Sequence, residues 1–217
     1  MRGWLGALLL LAGLAPAAAP AQERILGYHA DLAVQADGSL EVTETIRVRA
    51  EGQRIRRGIY RDFPTRYRDQ YGNRMVVDFE LLGVERDGRP EPYFTEAMPN
   101  GVRINTGNDD FLPVPADYTF SIRYRTTRQI GFFDEHDELY WNVTGLGWDF
   151  TIEQASARVT LPYLLAVPAA VVTSEKLPRL PFRKQATPFP VVATSKSKVL
   201  ALKAAITASF SAGFKRP

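Results

Sequence analysis

No cysteine occurs anywhere in the 217 residues. That excludes disulfides, thiolate metal sites, a cysteine nucleophile and a lipidated N-terminal cysteine. Histidine is almost missing too: His29 and His136 are the only two, far apart in the chain. A zinc site would need both of them together with carboxylates, and nothing in the spacing supports one. Lysine is absent before Lys176; every earlier cation is arginine. No apolar run approaches the roughly twenty residues that cross a bilayer as a helix. There is no Gly-x-Ser-x-Gly elbow and no glycine loop of the phosphate-cradling kind, so two common routes to catalysis are closed. No cofactor is expected.

What is present starts with an export pattern. Arg2 is followed by the apolar stretch Trp4 to Leu14 and by the small-residue stretch Ala15 to Ala21. Ala19-Pro20-Ala21 fits the small-x-small rule, which places cleavage after Ala21 and the mature start at Gln22. Residues 1–21 are therefore read as a signal peptide, and the mature chain is expected in the periplasm or on the outer face of the cell.

The charge of +3 hides an asymmetry. From Met1 to Thr160 there are 18 basic and 23 acidic residues, a net of −5; from Leu161 to Pro217 there are nine basic residues against Glu175, a net of +8. The basic pI belongs to the C-terminal segment, so nucleic acid is not an expected partner of the rest. The change from arginine to lysine points to a different coding history for that segment, as after truncation or a frame change. Pro178, Pro181, Pro188 and Pro190 interrupt it, and residues 163–217 are expected to be mostly disordered.

Between these ends the chain reads as strands. Leu40, Val42, Ile46 and Val48 alternate with Glu41, Thr43, Thr45 and Arg47, the period of a half-buried strand. Asp37-Gly38 before it is a hairpin signal. Further strands are expected at 25–35, 75–85, 92–96, 102–104, 117–127, 139–143 and 151–161, punctuated by Gly72-Asn73, Asp87-Gly88, Asn100-Gly101 and Gly145-Leu146-Gly147. No useful helix is expected between 25 and 160. This pattern predicts an all-β domain over 22–162, an antiparallel β-sandwich with immunoglobulin-like layers.

Several groups of residues offer chemistry. Glu44 shares the apolar face of its strand with Val42 and Ile46, where an ionised carboxylate needs a cation. Arg61 is the first candidate, because parity in an extended Gly58-Ile59-Tyr60-Arg61 sends it inward with Ile59; Arg57 has the same parity and is the reserve. A buried pair that fixes register is favoured over a charged cleft. Asp134, Glu135, Asp137 and Glu138 surround His136. They suit acid–base chemistry or Ca²⁺, but a solvated hairpin loop is the simpler reading, and no metal is expected there. Tyr140, Trp141 and Trp148 suggest a sugar platform or interaction surface, against the commoner role of aromatic residues as core. Arg54, Arg56, Arg57 and Arg61 form a basic run flanked by Glu51 and Asp62, where internal ion pairing is as good a reading as an anionic ligand.

Three segments together carry a resemblance: Asp37-Gly38-Ser39-Leu40-Glu41-Val42-Thr43-Glu44, Gly58-Ile59-Tyr60-Arg61-Asp62-Phe63-Pro64, and Tyr140-Trp141-Asn142-Val143-Thr144-Gly145 with Trp148, closing at Leu161-Pro162. In order and spacing they resemble the extracytoplasmic N-terminal domain of predicted bacterial membrane proteins known as domain-of-unknown-function family 2207. The resemblance covers about residues 24–162. It implies a β-sandwich, export, a membrane anchor elsewhere in the protein, and partners among envelope or membrane proteins. The expected role is docking without catalysis; the alternatives are sugar binding through Tyr140, Trp141 or Trp148, and hydrolysis by the Asp134–Glu138 loop. The oligomeric state is left open.

Overall fold

A computed structural model describes residues 22–68, 72–132, 137–161, 169–174, 189–194 and 202–208. The signal segment lies outside them. The described chain is all-β, with strands β1 (Arg24–Val34), β2 (Leu40–Ala50), β3 (Tyr60–Pro64), β4 (Arg66–Arg68), β5 (Arg74–Val76), β6 (Phe79–Arg86), β7 (Arg89–Pro90), β8 (Tyr93–Met98), β9 (Gly101–Thr106), β10 (Ala116–Thr126), β11 (Ile130–Phe132), β12 (Asp137–Asn142), β13 (Gln154–Thr160), β14 (Ala169–Ser174), β15 (Phe189–Thr194) and β16 (Leu202–Ala208).

The largest sheet runs β15-β13-β1-β2-β10-β6-β7. Its centre shows period-two patterning on three adjacent strands. Tyr28, Ala30, Leu32 and Val34 of β1, the even-numbered residues of β2, and Tyr118, Phe120, Ile122, Tyr124 and Thr126 of β10 are all buried. Their neighbours on the other face are mostly polar and partly or fully exposed, as at Thr43, Arg47, Arg123 and Arg125. The register keeps this in step, with Ala30 and Ile122 opposite Glu44. One side of the sheet thus becomes core and the other is wet.

Smaller sheets face the core side: β3-β9-β8, and β11-β12-β16-β14. Phe63 of β3 packs on Tyr124, with ring centres 5.2 Å apart, and on Trp141 of β12 at 6.2 Å. The expected hairpin between β1 and β2 is present. Asp87 and Gly88 both take positive φ, 52° and 76°, in the two-residue turn from β6 to β7, the geometry that favours an Asp-Gly pair.

Two features differ from the sequence reading. β1 and β13 pair in parallel, Tyr28 opposite Ala155 through Ala33 opposite Thr160; the long connection between them makes that direction available. In the C-terminal segment, expected to be mostly disordered, the described residues 169–174, 189–194 and 202–208 form three strands. β15 pairs with β13, and β16 with β12 and β14. The described stretches contain short β-branched runs, Val171-Val172-Thr173 and Val191-Val192. Pro190 lies within β15, which is an edge strand and can spare an N–H.

Glu23 fastens the entrance to β1. Its buried carboxylate accepts backbone N–H groups of Glu51, Gln53, Arg54 and Ile55 at 2.7–3.2 Å. Burial alone would raise its pKa, but these four donors together hold it below the ordinary glutamate value of 4.5. A depressed folded pKa contributes stability above the unfolded value, and that stability disappears as pH falls through the folded value. Glu23→Ala is therefore expected to cost about 1–3 kcal/mol at neutral pH, from stranded donors. Urea titrations of both proteins should show the difference shrinking below about pH 4; a pH-independent difference would refute the role.

Candidate functional site

The alternation that buries β2 also buries Glu44, whose accessible surface is 0%, among Val42, Ile46 and their cross-strand partners. β3 crosses above with Arg61 and Phe63 inward and Tyr60 and Asp62 outward. Arg61 Nε donates to one Glu44 carboxylate oxygen at 2.7 Å and Arg61 Nη2 to the other at 2.8 Å, a two-pronged clasp. Tyr124 donates its hydroxyl to the same carboxylate at 2.8 Å, and Arg61 Nη1 donates to the Asp62 carbonyl.

Burial opposes the charge on Arg61, yet the Glu44 carboxylate and its hydrogen bonds more than compensate, leaving the guanidinium firmly protonated. Burial pushes both tyrosine hydroxyls, Tyr28 and Tyr124, well above the usual range. Tyr124 is thus held as a donor. The Tyr28 hydroxyl lies in the same electrostatic environment without a partner in full hydrogen-bonding geometry. The pair is closed to solvent and offers no surface for a substrate. Arg57, the reserve candidate, is elsewhere: it is exposed, with its guanidinium 4.7 Å from the Phe111 ring centre.

Gly145 forms the lid of this cluster. A Cβ there would stand 2.5 Å from Arg61 Nη1. Its φ of +68° independently favours glycine. This explains a glycine in the third resembling segment that spacing alone does not.

The sequence weighs the aromatic set as an interaction surface against a role in the core, and both tryptophans pack inward. Trp141 is buried in the core, in contact with Phe63. Trp148 is half-buried; its indole N–H is spent on the Thr144 carbonyl at 2.7 Å and its ring meets Tyr28 edge-on. Large rings on short strands repay burial more than exposure. The side chain of Tyr140 lies outside the described residues, as do Asp134, Glu135 and His136. Asp137 and Glu138 are placed as backbone in β12, opposite Phe132 and Gly131. His29 hydrogen-bonds Ser156 at 2.7 Å on the wet face of the large sheet. No cluster of three potential metal ligands occurs among the described residues.

The exposed aromatics are different ones. Across β3-β9-β8, Tyr60 and Phe94 both stand opposite Asn105. With Tyr93, Arg56, Arg57 and the Gly58 and Gly107 backbone, they line an open groove of about 540 Å³. Phe94 is 53% exposed and Phe111, beside the arginines, 59%. Arg54 is engaged by Asp149 and lies over Phe150. The residues that form this surface are spread over three stretches of sequence, and only the arginine run signalled it.

Fold and site define a class: an all-β domain braced by an internal ion pair, with a polar sheet face and an aromatic groove. The chain belongs to the family described as the N-terminal domain of predicted membrane proteins, DUF2207, whose model matches residues 24–208. It is 33% identical over 132 residues to the uncharacterized protein YciQ of Escherichia coli K12, covering 60% of this chain and 21% of YciQ. The chain thus spans about a fifth of that relative. Its fold is similar to part of yeast LTA4 hydrolase, at TM-score 0.55 and 11% identity, over 85% of this chain and 29% of that one. It is likewise similar to part of an M1 zinc metallopeptidase from Deinococcus radiodurans, at TM-score 0.51 and 13% identity, over 85% and 42%. These likenesses concern fold alone. No helix among the described residues is long and apolar enough to cross a membrane.

The lid predicts a measurable contrast. Gly145→Ala should cost roughly 1–3 kcal/mol through backbone strain, with further loss from displacing the guanidinium. Gly147→Ala, with φ +91° but open space around the new Cβ, should cost the strain only. Equal losses in urea denaturation would show that Gly145 does not cover Arg61.

Proposed function

We propose that this chain is an exported module of a membrane-protein assembly, released from its signal segment after Ala21, that docks to a protein partner without catalysing a reaction. The observation that carries this reading is the exposed groove at Tyr60, Tyr93 and Phe94. Aromatic and arginine side chains together are the usual anchors of protein interfaces. The most deeply buried described carboxylate, Glu44, is sealed and paired, which leaves it a bracing role. The membrane-protein family and the export pattern of residues 1–21 support a position on the outer side of the membrane, with envelope or membrane proteins as partners. The net charge of −5 over residues 1–160 argues against nucleic acid. Sugar binding is the weaker reading, because Trp141 and Trp148 are committed to packing.

Site-specific photo-crosslinking from position 94, in cells of the native host, tests this. The expected product is one discrete protein adduct in the envelope fraction, and N-terminal sequencing of the domain within it should begin at Gln22. A crosslinker at Arg123, on the wet face of the large sheet, should give no such adduct. Equal patterns from both positions, or a retained Met1 in a cytoplasmic product, would contradict the proposal.

A further inference from the structure

The groove's chemistry points beyond docking in general to one kind of occupant. Arg56 and Arg57 lie 5.0 and 4.7 Å from the centre of the same ring, Phe111. Their contact with one ring brings both cations to the same rim of the groove. Among the described residues neither guanidinium meets a carboxylate, in contrast to Arg54, Arg61, Arg86 and Arg103. Two nearby acids do not use them: Asp110 accepts from the Asn108 amide at 2.9 Å, and Asp109 lines the groove without an ion pair. Two planar forks therefore line one groove with their donors available, and such groups receive oxyanions in paired hydrogen bonds.

The adjoining strand adds a second element. β8 is the outer strand of its sheet, and Tyr93 through Ala97 are all exposed. It carries neither proline nor lysine, and Glu96 is its sole charge. Such an edge is open to an added strand. A concave groove beside an open edge fits an extended chain better than a flat bilayer.

We infer that this groove receives an extended acidic segment of the partner protein, with its carboxylates held by Arg56 and Arg57 and its apolar side chains laid over Tyr93 and Phe94. The inference rests on the docking reading and specifies its occupant. Anisotropy titration of the full chain with short fluorescein-labelled poly-L-glutamate tests it. Saturable binding is expected, weakened about tenfold by Arg56→Ala with Arg57→Ala through loss of both charged contacts, and strengthened by Asp109→Asn. Arg123→Ala removes an exposed cation from another face and should leave binding nearly unchanged. Arg56→Lys with Arg57→Lys keeps charge and stem, loses the planar fork, and should fall between. No saturable binding, equal weakening by Arg123→Ala, or preference for phosphatidylglycerol vesicles over the peptide would overturn the inference. If the crosslink from position 94 survives in the Arg56→Ala, Arg57→Ala protein, docking stands and the acidic occupant falls.

Discussion

The clasp between Glu44 and Arg61 is the constraint on which the rest of the arrangement depends. It joins the large sheet to the small one through two charges that water cannot reach. Four parts of the chain must be in place for it: β2 for the carboxylate, β3 for the guanidinium, β10 for the Tyr124 hydroxyl, and the turn after β12 for Gly145. A one-residue slip of β2 would carry Glu44 to the wet face and strand Arg61 in the core. Taking two ions out of water costs nearly what their attraction returns, so net stability is not what such a pair chiefly supplies. It penalises any slip of β2, and Phe63, two residues beyond Arg61, fits among Phe79, Tyr124 and Trp141.

That register determines what the surface displays. With Arg61 and Phe63 turned inward, Tyr60 and Asp62 must turn outward. Asp62 then holds Arg103 at 2.6 and 2.8 Å, and Arg103 lies over the Tyr60 ring. The groove wall is thus a consequence of the buried pair beneath it: one strand carries a core on one side and a candidate interface on the other.

Much of this is visible in the sequence because period-two patterning is strong in the two long central strands. Alternation from Leu40 to Ala50 places Glu44 inward without any coordinates, and parity offers Arg61 ahead of Arg57. The structure joins Glu44 to Arg61 and sets Arg57 at the surface. The strands past residue 160 were hidden because prolines read as breakers, whereas Pro190 sits on an edge strand that tolerates it. The family match to residue 208 likewise runs past the point where the resembling segments end. The tryptophans were legible in part: ring size favours the core, while alternation says that neighbours face opposite ways, but not which of them faces the core. The groove was illegible because residues 54–60, 93–94 and 105–111 meet only through sheet pairing between β3, β9 and β8.

The central claim is that the two charges act as one unit. A double-mutant cycle tests it directly: urea unfolding of Glu44→Ala, Arg61→Ala and the double variant against the parent. Each single change should cost about 3–5 kcal/mol, because it leaves its partner's charge buried and alone. The double variant should cost less than the sum of the two by about 1–3 kcal/mol. Losses that simply add would contradict the account.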